Sequence, residues 1–184
     1  MNKKIILTLT LTIIPTLITT TQTPPWRYKT GDYVVCVAWS PDSQLLAAGS
    51  SDNYVYVFNR SGLLKWRYEA GGDVWCVAWS PDSQLLAAGS WDDYVYVFNR
   101  SGLLKWRYEA GGDVWCVAWS PDGKYLAAGS EDDYVYVFDK DGNLKWRYET
   151  GGWVRCIAWS PDGQLLAAGS EDDYVYVFNR SGLG

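Results

Sequence analysis

The chain of 184 residues contains no histidine, a single methionine and only four cysteines. Without an imidazole, Ser-His-Asp and Cys-His nucleophile systems, His-ligated metal centres and histidine general bases are all excluded. Positive charge is also in short supply: 16 Lys and Arg stand against 21 Asp and Glu, a net charge of −5. A surface of that sign repels a phosphate backbone, so no nucleic acid partner is expected. No phosphate-cradling glycine loop or clustered metal-ligand motif rises above the repetitive pattern described below, and no metal or cofactor is expected. What is plentiful is apolar and aromatic: 48% hydrophobic residues and 16% aromatic, including 12 Trp. That is ample for a buried core, so one compact domain is expected rather than a disordered tail.

The first 23 residues differ from everything after them. Lys3 and Lys4 lead an apolar run from Ile5 to Ile18 that is interspersed with threonines and broken by Pro15. A run of about 14 residues is short for a bilayer span, and a positive start with a short apolar middle is the export pattern. Residues 1–23 are therefore read as a secretory signal, which makes the protein secreted or held at the cell surface. No Ala-x-Ala cleavage site is present, and Thr19 to Thr21 are the best small residues on offer. An uncleaved N-terminal anchor, with membrane contact only through residues 1–23, is the main alternative. The alternation of Leu7, Leu9, Leu11 and Ile13 with threonines also leaves a strand reading open. Without Lys3 and Lys4 the net charge becomes −7.

From Trp26 onward the chain repeats every 40 residues, and segments 31–70 and 71–110 differ only at positions 32, 33, 35, 51 and 53. Such a period marks units that cannot bury their own apolar faces and must stack. In the unit 71–110 four short strands are expected. Residues 74–80 (VWCVAWS) are apolar on both faces, as a strand buried on both sides should be. Ser80-Pro81-Asp82-Ser83 is a turn, with Pro81 presetting φ. Residues 85–90 form the second strand, Asp92-Asp93 a turn, and residues 94–98 (YVYVF) the third. Asn99-Arg100-Ser101-Gly102 turns into residues 103–109 (LLKWRYE), whose alternating charges suit an outer strand with one wet face. Gly111-Gly112 closes the unit.

Four antiparallel strands in about 40 residues make the blade of a β-propeller, so the fold class is all-β. The motif Ala-Gly-Ser-x-Asp-x-Tyr-Val-Tyr-Val-Phe-Asn at 48–59, 88–99 and 168–179 resembles the strand-turn-strand motif of the WD-repeat family. Residues 103–108 followed by Gly111-Gly112 also resemble the outer strand and turn of quinoprotein-type propeller repeats, yet no residues matching a quinone site can be identified. The WD resemblance spans residues 26–184 and implies fold more than activity, because propellers host many functions. It implies a hydrogen-bonded set of His, Ser or Thr, Asp and Trp in each blade. Here Ser50 and Asp52, Ser90 and Asp92, Ser130 and Asp132, and Ser170 and Asp172 match two of those positions. Phe58, Phe98, Phe138 and Phe178 replace the Trp, and glycine stands where the histidine would be. Each Asp is then expected to satisfy its oxygens on turn N–H groups and the Ser hydroxyl.

Pro25 to Thr30 matches Lys105 to Ala110, an outer strand, while the fourth unit runs only to Gly184. The expected arrangement is four blades per chain in residues 24–184, with residues 24–30 completing the last blade. An eight-bladed ring built by a homodimer is the favoured closure; a four-bladed monomer, larger rings and a truncated product are the alternatives. Cys36, Cys76, Cys116 and Cys156 occupy one position in successive units. Rotational symmetry should hold them beyond disulfide reach, so they are read as core residues.

Most tryptophans recur in every unit, but Trp75, Trp91, Trp115 and Trp153 stand only at varying positions. Those positions lie in the connection entering the first strand and in the turn between the second and third, which an up-and-down blade places at one end. By resemblance, that end is the face used most often for binding. The candidate face comprises Tyr33, Asp73, Trp75, Trp91 and Asp113, with Trp115, Glu131, Trp153, Arg155 and Glu171, and Asp93 lies among them. Aromatic planes beside carboxylates suit a sugar, a cation or a cationic peptide. Neutral drift after duplication would also concentrate differences in exposed turns. The leading expectation is an extracytoplasmic binding or scaffold module for a peptide, protein or glycan, not an enzyme. The alternatives are a structural subunit of a strand-exchanged surface polymer, and a lyase or hydrolase using Asp73 and Asp113 as an acid/base pair.

Overall fold

The computed structural model describes residues 24–182, so the expected export segment over residues 1–23 lies outside it. Among the described residues there are strands and turns and no helix. Blade 1 comprises β1 (Val34–Trp39), β2 (Leu45–Ser50), β3 (Tyr54–Asn59) and β4 (Leu64–Glu69). Blade 2 comprises β5 (Val74–Trp79), β6 (Leu85–Ser90), β7 (Tyr94–Asn99) and β8 (Leu104–Glu109). Blade 3 follows with β9 (Val114–Trp119), β10 (Tyr125–Ser130), β11 (Tyr134–Asp139) and β12 (Leu144–Glu149). Blade 4 has β13 (Val154–Trp159), β14 (Leu165–Ser170) and β15 (Val175–Asn179). Each sheet is an antiparallel meander in chain order, and the first strands β1, β5, β9 and β13 lie beside one another in sequence.

The core lies between blades. Ala47, Val55 and Val57 on one face of blade 1 pack with Leu86, Ala88, Tyr96 and Phe98 of blade 2. The same arrangement joins blades 2 and 3 through Ala87, Val95, Val97, Leu126, Tyr136 and Phe138. It joins blades 3 and 4 through Ala127, Val135, Val137, Leu166 and Phe178. Alternation along each third strand explains this: valines point to the following blade and Tyr-Phe to the preceding one, so both faces of the sheet are apolar. The alanine pair of each second strand is small enough to let neighbouring sheets approach. Gly102, at φ 90°, terminates the third turn, where a Cβ would meet the Trp66 ring at 2.7 Å. That left-handed conformation and the lack of room both require glycine.

The expected polar set is present but differently wired. Ser90 Oγ accepts from the Asp92 N–H at 3.3 Å and donates to the Gly72 carbonyl at 3.0 Å. The Asp92 carboxylate instead accepts from the Gly71 N–H at 2.5 Å, the Tyr94 N–H at 3.2 Å and the Tyr96 hydroxyl at 2.6 Å. The turn N–H groups take up the carboxylate as expected, and the tyrosine of the third strand adds a hydroxyl partner that the sequence pattern did not reveal. Asp52, Asp132 and Asp172 repeat the contact with Tyr56, Tyr136 and Tyr176. No histidine is needed, because the glycine at its position offers a backbone N–H.

The cysteines form no disulfide. Sγ of Cys36, Cys76 and Cys116 lies against Gly49, Gly89 and Gly129, where a Cβ would come within 2.7 Å. Burial pushes the Cys116 thiol up to about 12 and that of Cys76 well above its ordinary value. Cys156 departs from the expected core role and is exposed.

The four blades form an arc that is not closed on itself. Val34 is 48% exposed, whereas Val74, Val114 and Val154 are fully buried. At the other end β13–β15 has no fourth strand among the described residues, and Val175 is 77% exposed. Residues 24–30 do not fold back onto their own last blade, as a four-bladed monomer would require. They run along blade 1, where Trp26 and Tyr28 pack on Phe58 at centroid separations of 5.7 and 4.9 Å.

Two outcomes follow from the carboxylate set. Tyr96→Phe, which removes one charge-assisted bond, lowers the unfolding free energy by about 1–2 kcal/mol in urea titrations. Burial works to raise the Asp172 carboxyl, but the Tyr176 hydroxyl, the Gly151 N–H and the Ser170 side chain outweigh it and hold it at about 2. Asp52 is lowered by the same kind of partners. The Asp172 contribution is present above the ordinary carboxylate value and is lost as pH falls from about 4 to about 2, and that of Asp52 is lost in the same direction, so melting temperatures measured across that range drop.

Candidate functional site

The two variable connections of each blade meet. The backbone N–H groups of Ser51, Trp91, Glu131 and Glu171 donate to the carbonyls of Tyr33, Asp73, Asp113 and Trp153 at 2.8–3.0 Å. Variable positions thus share one end of the molecule, as the up-and-down pattern predicts. A second feature was not legible in the pattern. In each blade the register between first and second strands slips by one residue, with Val74 opposite Ser90 and Cys76 opposite Gly89. The bulged positions are Val35, Trp75, Trp115 and Arg155. A bulge leaves one residue unpaired and re-aims its side chain, which frees these positions from the alternation of the strand.

The bulges bring the non-recurring tryptophans into contact. Trp75 lies 4.7 Å from Trp91 and 5.1 Å from Trp115 between ring centroids, and Trp91 meets Trp115 edge-on at 5.4 Å. Trp153 stacks on Trp115 at 6.4 Å with an interplanar angle of 17°. The Arg155 guanidinium caps the stack, 3.9 Å from the Trp115 centroid and 4.8 Å from that of Trp153. Glu171 holds it there through Oε1, 2.7 Å from Nε and 2.6 Å from Nη2. A cation over an indole face is worth about 0.5–2 kcal/mol, more as water is excluded.

The indole N–H groups of Trp75 and Trp115 are buried without an acceptor among the described residues. Each such orphan costs about 1–3 kcal/mol, and blade 1 is built with Val35 at the same position. The propeller scaffold therefore does not call for tryptophan there, although the four rings do support one another.

Beside the stack lies an acidic cleft of about 410 Å³, walled by Asp93, Asp113, Glu131 and Trp153. Burial, then the charges of Glu131 and Asp93, push the Asp113 carboxyl up to about 6. The strongest charges on Asp113 come from those two groups, so the crowding pairs it with Glu131 and Asp93 instead of the expected Asp73. Asp73 joins the site through its backbone carbonyl, which accepts from the Trp91 N–H at 2.9 Å. Tyr33, on blade 1, stands apart from the tryptophan cluster and is 81% exposed. Among the described residues no group of three or more His, Cys, Asp or Glu side chains is arranged to hold a metal ion.

Meandering four-stranded sheets stacked face to face, with their variable turns gathered at one end, define a propeller-type repeat protein. The family model for the WD domain, G-beta repeat, matches residues 23–59, 64–99, 104–139 and 142–179, and the chain belongs to that family. Each matched stretch starts with an outer strand or its equivalent and ends after a third strand, so the first match treats residues 24–30 as an outer strand. No curated protein matches the chain.

The Asp113 carboxyl yields a pH-dependent outcome. Its value in the folded chain, about 6, lies above the ordinary 3.8, so its cost is absent below about 4 and grows as pH rises to about 6. Asp113→Asn removes that cost. After allowance for solvent screening it is about 1 kcal/mol, giving a melting temperature about 2–4 °C higher at pH 7.5 and no gain at pH 4.

Proposed function

We propose that the protein is a binding and scaffold module working outside the cytoplasm, and that its acidic, tryptophan-walled face takes a cationic segment of a peptide or protein. WD-repeat domains are protein-interaction scaffolds, which supports a binding role over catalysis. The observation that carries the ligand class is the cleft at Asp113. Asp93, Asp113 and Glu131 crowd beside one indole face, and burial, then the charges of the other two, drives Asp113 toward its neutral form. A lysine or arginine side chain entering the cleft relieves the repulsion and finds an aromatic wall. The chain itself illustrates the chemistry at the Trp153 wall of the cleft, where Arg155 lies on Trp115 and Trp153 with a carboxylate beside it.

We further propose that the arc is completed by a second chain into an eight-bladed ring, which would place two such faces on one rim. Export is proposed on the charge and hydropathy of residues 1–23 alone. A glycan ligand is the second reading, favoured by the run of stacked indoles.

Tryptophan fluorescence titration with a Lys- and Arg-rich peptide tests the ligand. Binding is expected to weaken as pH falls from about 7 to 5 and as salt rises, and Trp153→Ala or Glu131→Gln should each weaken it by at least ~5-fold. Binding of neutral oligosaccharide with no response to the basic peptide would replace this reading with the glycan one.

A further inference from the structure

Three blade junctions inside the chain share an indole-to-carbonyl hydrogen bond, two of them add an Arg–Asp pair and the first adds a serine contact, and the two outward faces carry the unmatched halves of the same contacts. The indole N–H groups of Trp79, Trp119 and Trp159 donate across the junctions to the carbonyls of Ala38, Ala78 and Ala118 at 3.1–3.2 Å. Arg100 pairs with Asp42 at 2.8 Å and Arg180 with Asp122 at 2.5 Å. At the middle junction Lys140 replaces the arginine and turns to Asp141. The Asp42 N–H also donates across the first junction to Ser83 Oγ at 3.1 Å, and Ser83 is buried.

On the outward face of blade 1 the counterparts are open. Trp39 is 50% exposed, Ser43 is exposed, and the Arg60 guanidinium has no ion pair among the described residues. On the outward face of blade 4, Asp162 is bonded among the described residues only within its own turn, to Ser160 and Gln164. Val177 is 60% exposed, although Val57, Val97 and Val137 at the same position are fully buried. One 40-residue step of the repeat carries each internal contact onto these groups: Trp39 toward the Ala158 carbonyl, Arg60 toward Asp162, Ser43 toward the Asp162 N–H. The strand register extends in the same way. Val57 opposes Trp66 and Val55 opposes Tyr68 in blade 1, which translates to Val177 opposite Trp26 and Val175 opposite Tyr28. Residues 26–30 are already seated for this, because the Trp26 indole donates to the Arg60 carbonyl at 3.2 Å just as Trp66 does to Arg100 at 3.1 Å.

We infer that a second copy of this chain docks on the outward face of blade 4, adding its residues 26–30 to β15 and joining its Trp39, Ser43 and Arg60 to Ala158 and Asp162. The inference rests on the two-chain ring proposed above and names the groups that make its junction. Charge and shape both point to this occupant: the face presents an unpaired carboxylate and a free strand edge, and the chain itself holds the arginine and strand that match them. Assembly also extends the binding face. Trp153 stacks on Trp115 across the third junction, and the same step places the second copy's Tyr33 against Arg155. The exposed Tyr33 thereby becomes part of the site, contributed in trans.

Sedimentation and light scattering of the full chain test the junction. The wild type is expected at twice the mass of one chain. Val177→Lys alters a side chain that is exposed in the single chain, so it is expected to give one-chain mass with an unchanged circular dichroism spectrum. Arg60→Glu and Asp162→Arg should each raise the dissociation constant by about tenfold, and the double reversal should restore it to within about threefold. A two-chain mass that survives Val177→Lys and both charge reversals overturns this junction while the ring stands. A one-chain mass for the wild type removes the ring itself, and species that grow without limit overturn closure by two copies.

Discussion

A sheet with Ala47, Val55 and Val57 on one face and Ala48, Tyr56 and Phe58 on the other has no wet side. Every blade must therefore be covered twice, and the rest of the architecture follows from that requirement. Within the chain the covering is supplied by the next blade, which leaves valines and aromatics fully buried between sheets. On the outward side of blade 4 it is not supplied, and Val175 and Val177 stand exposed; on blade 1 residues 26–28 cover Tyr56 and Phe58, while Val34, Val37 and Trp39 of the first strand stay exposed. Burial at roughly 25 cal/mol per Å² of apolar surface makes such faces a strong drive to associate.

The second constraint is polar. A blade this narrow has four turns, and each must satisfy its own backbone groups without a helix or a long loop to help. The Asp of the second turn ties a glycine N–H of the entering connection to the tyrosine of the third strand, and the Asp of the first turn is closed by a serine hydroxyl. These ties recur in all four blades, so the turns are rigid and nearly interchangeable. Their uniformity leaves the bulge and the tips of the variable connections as places where side chains can change without disturbing the sheet. The residues that distinguish the variable end of one blade from that of another lie at those places.

Much of this was legible in the chain. The 40-residue period, the Pro-Asp turn, the Asp-Asp turn and the valine-aromatic alternation located the fifteen strands to within a residue or two, while the further outer strand expected at residues 24–30 is not paired as a strand within the chain. The grouping of variable positions at one end also followed from strand parity alone. Three things were not legible. The tyrosine hydroxyl as the partner of the motif Asp depends on which way a third-strand side chain leans. The register slip at Trp75, Trp115 and Arg155 leaves no trace in composition. The crowding of Asp113 by Glu131 and Asp93, where Asp73 had been the expected partner, reflects distances between residues on different turns.

The division has a physical basis. Period, turn chemistry and alternation are local properties, carried by residues a few positions apart, and they settle that the chain forms four-stranded blades with two apolar faces. Contacts between different turns and different blades depend on the bulges and on how one blade rotates and slides against the next. Only the packed structure could therefore stack Arg155 on Trp115 and Trp153, gather Asp93, Asp113 and Glu131 around one cleft, and lay residues 26–30 along blade 1 while the edge of β15 stays open.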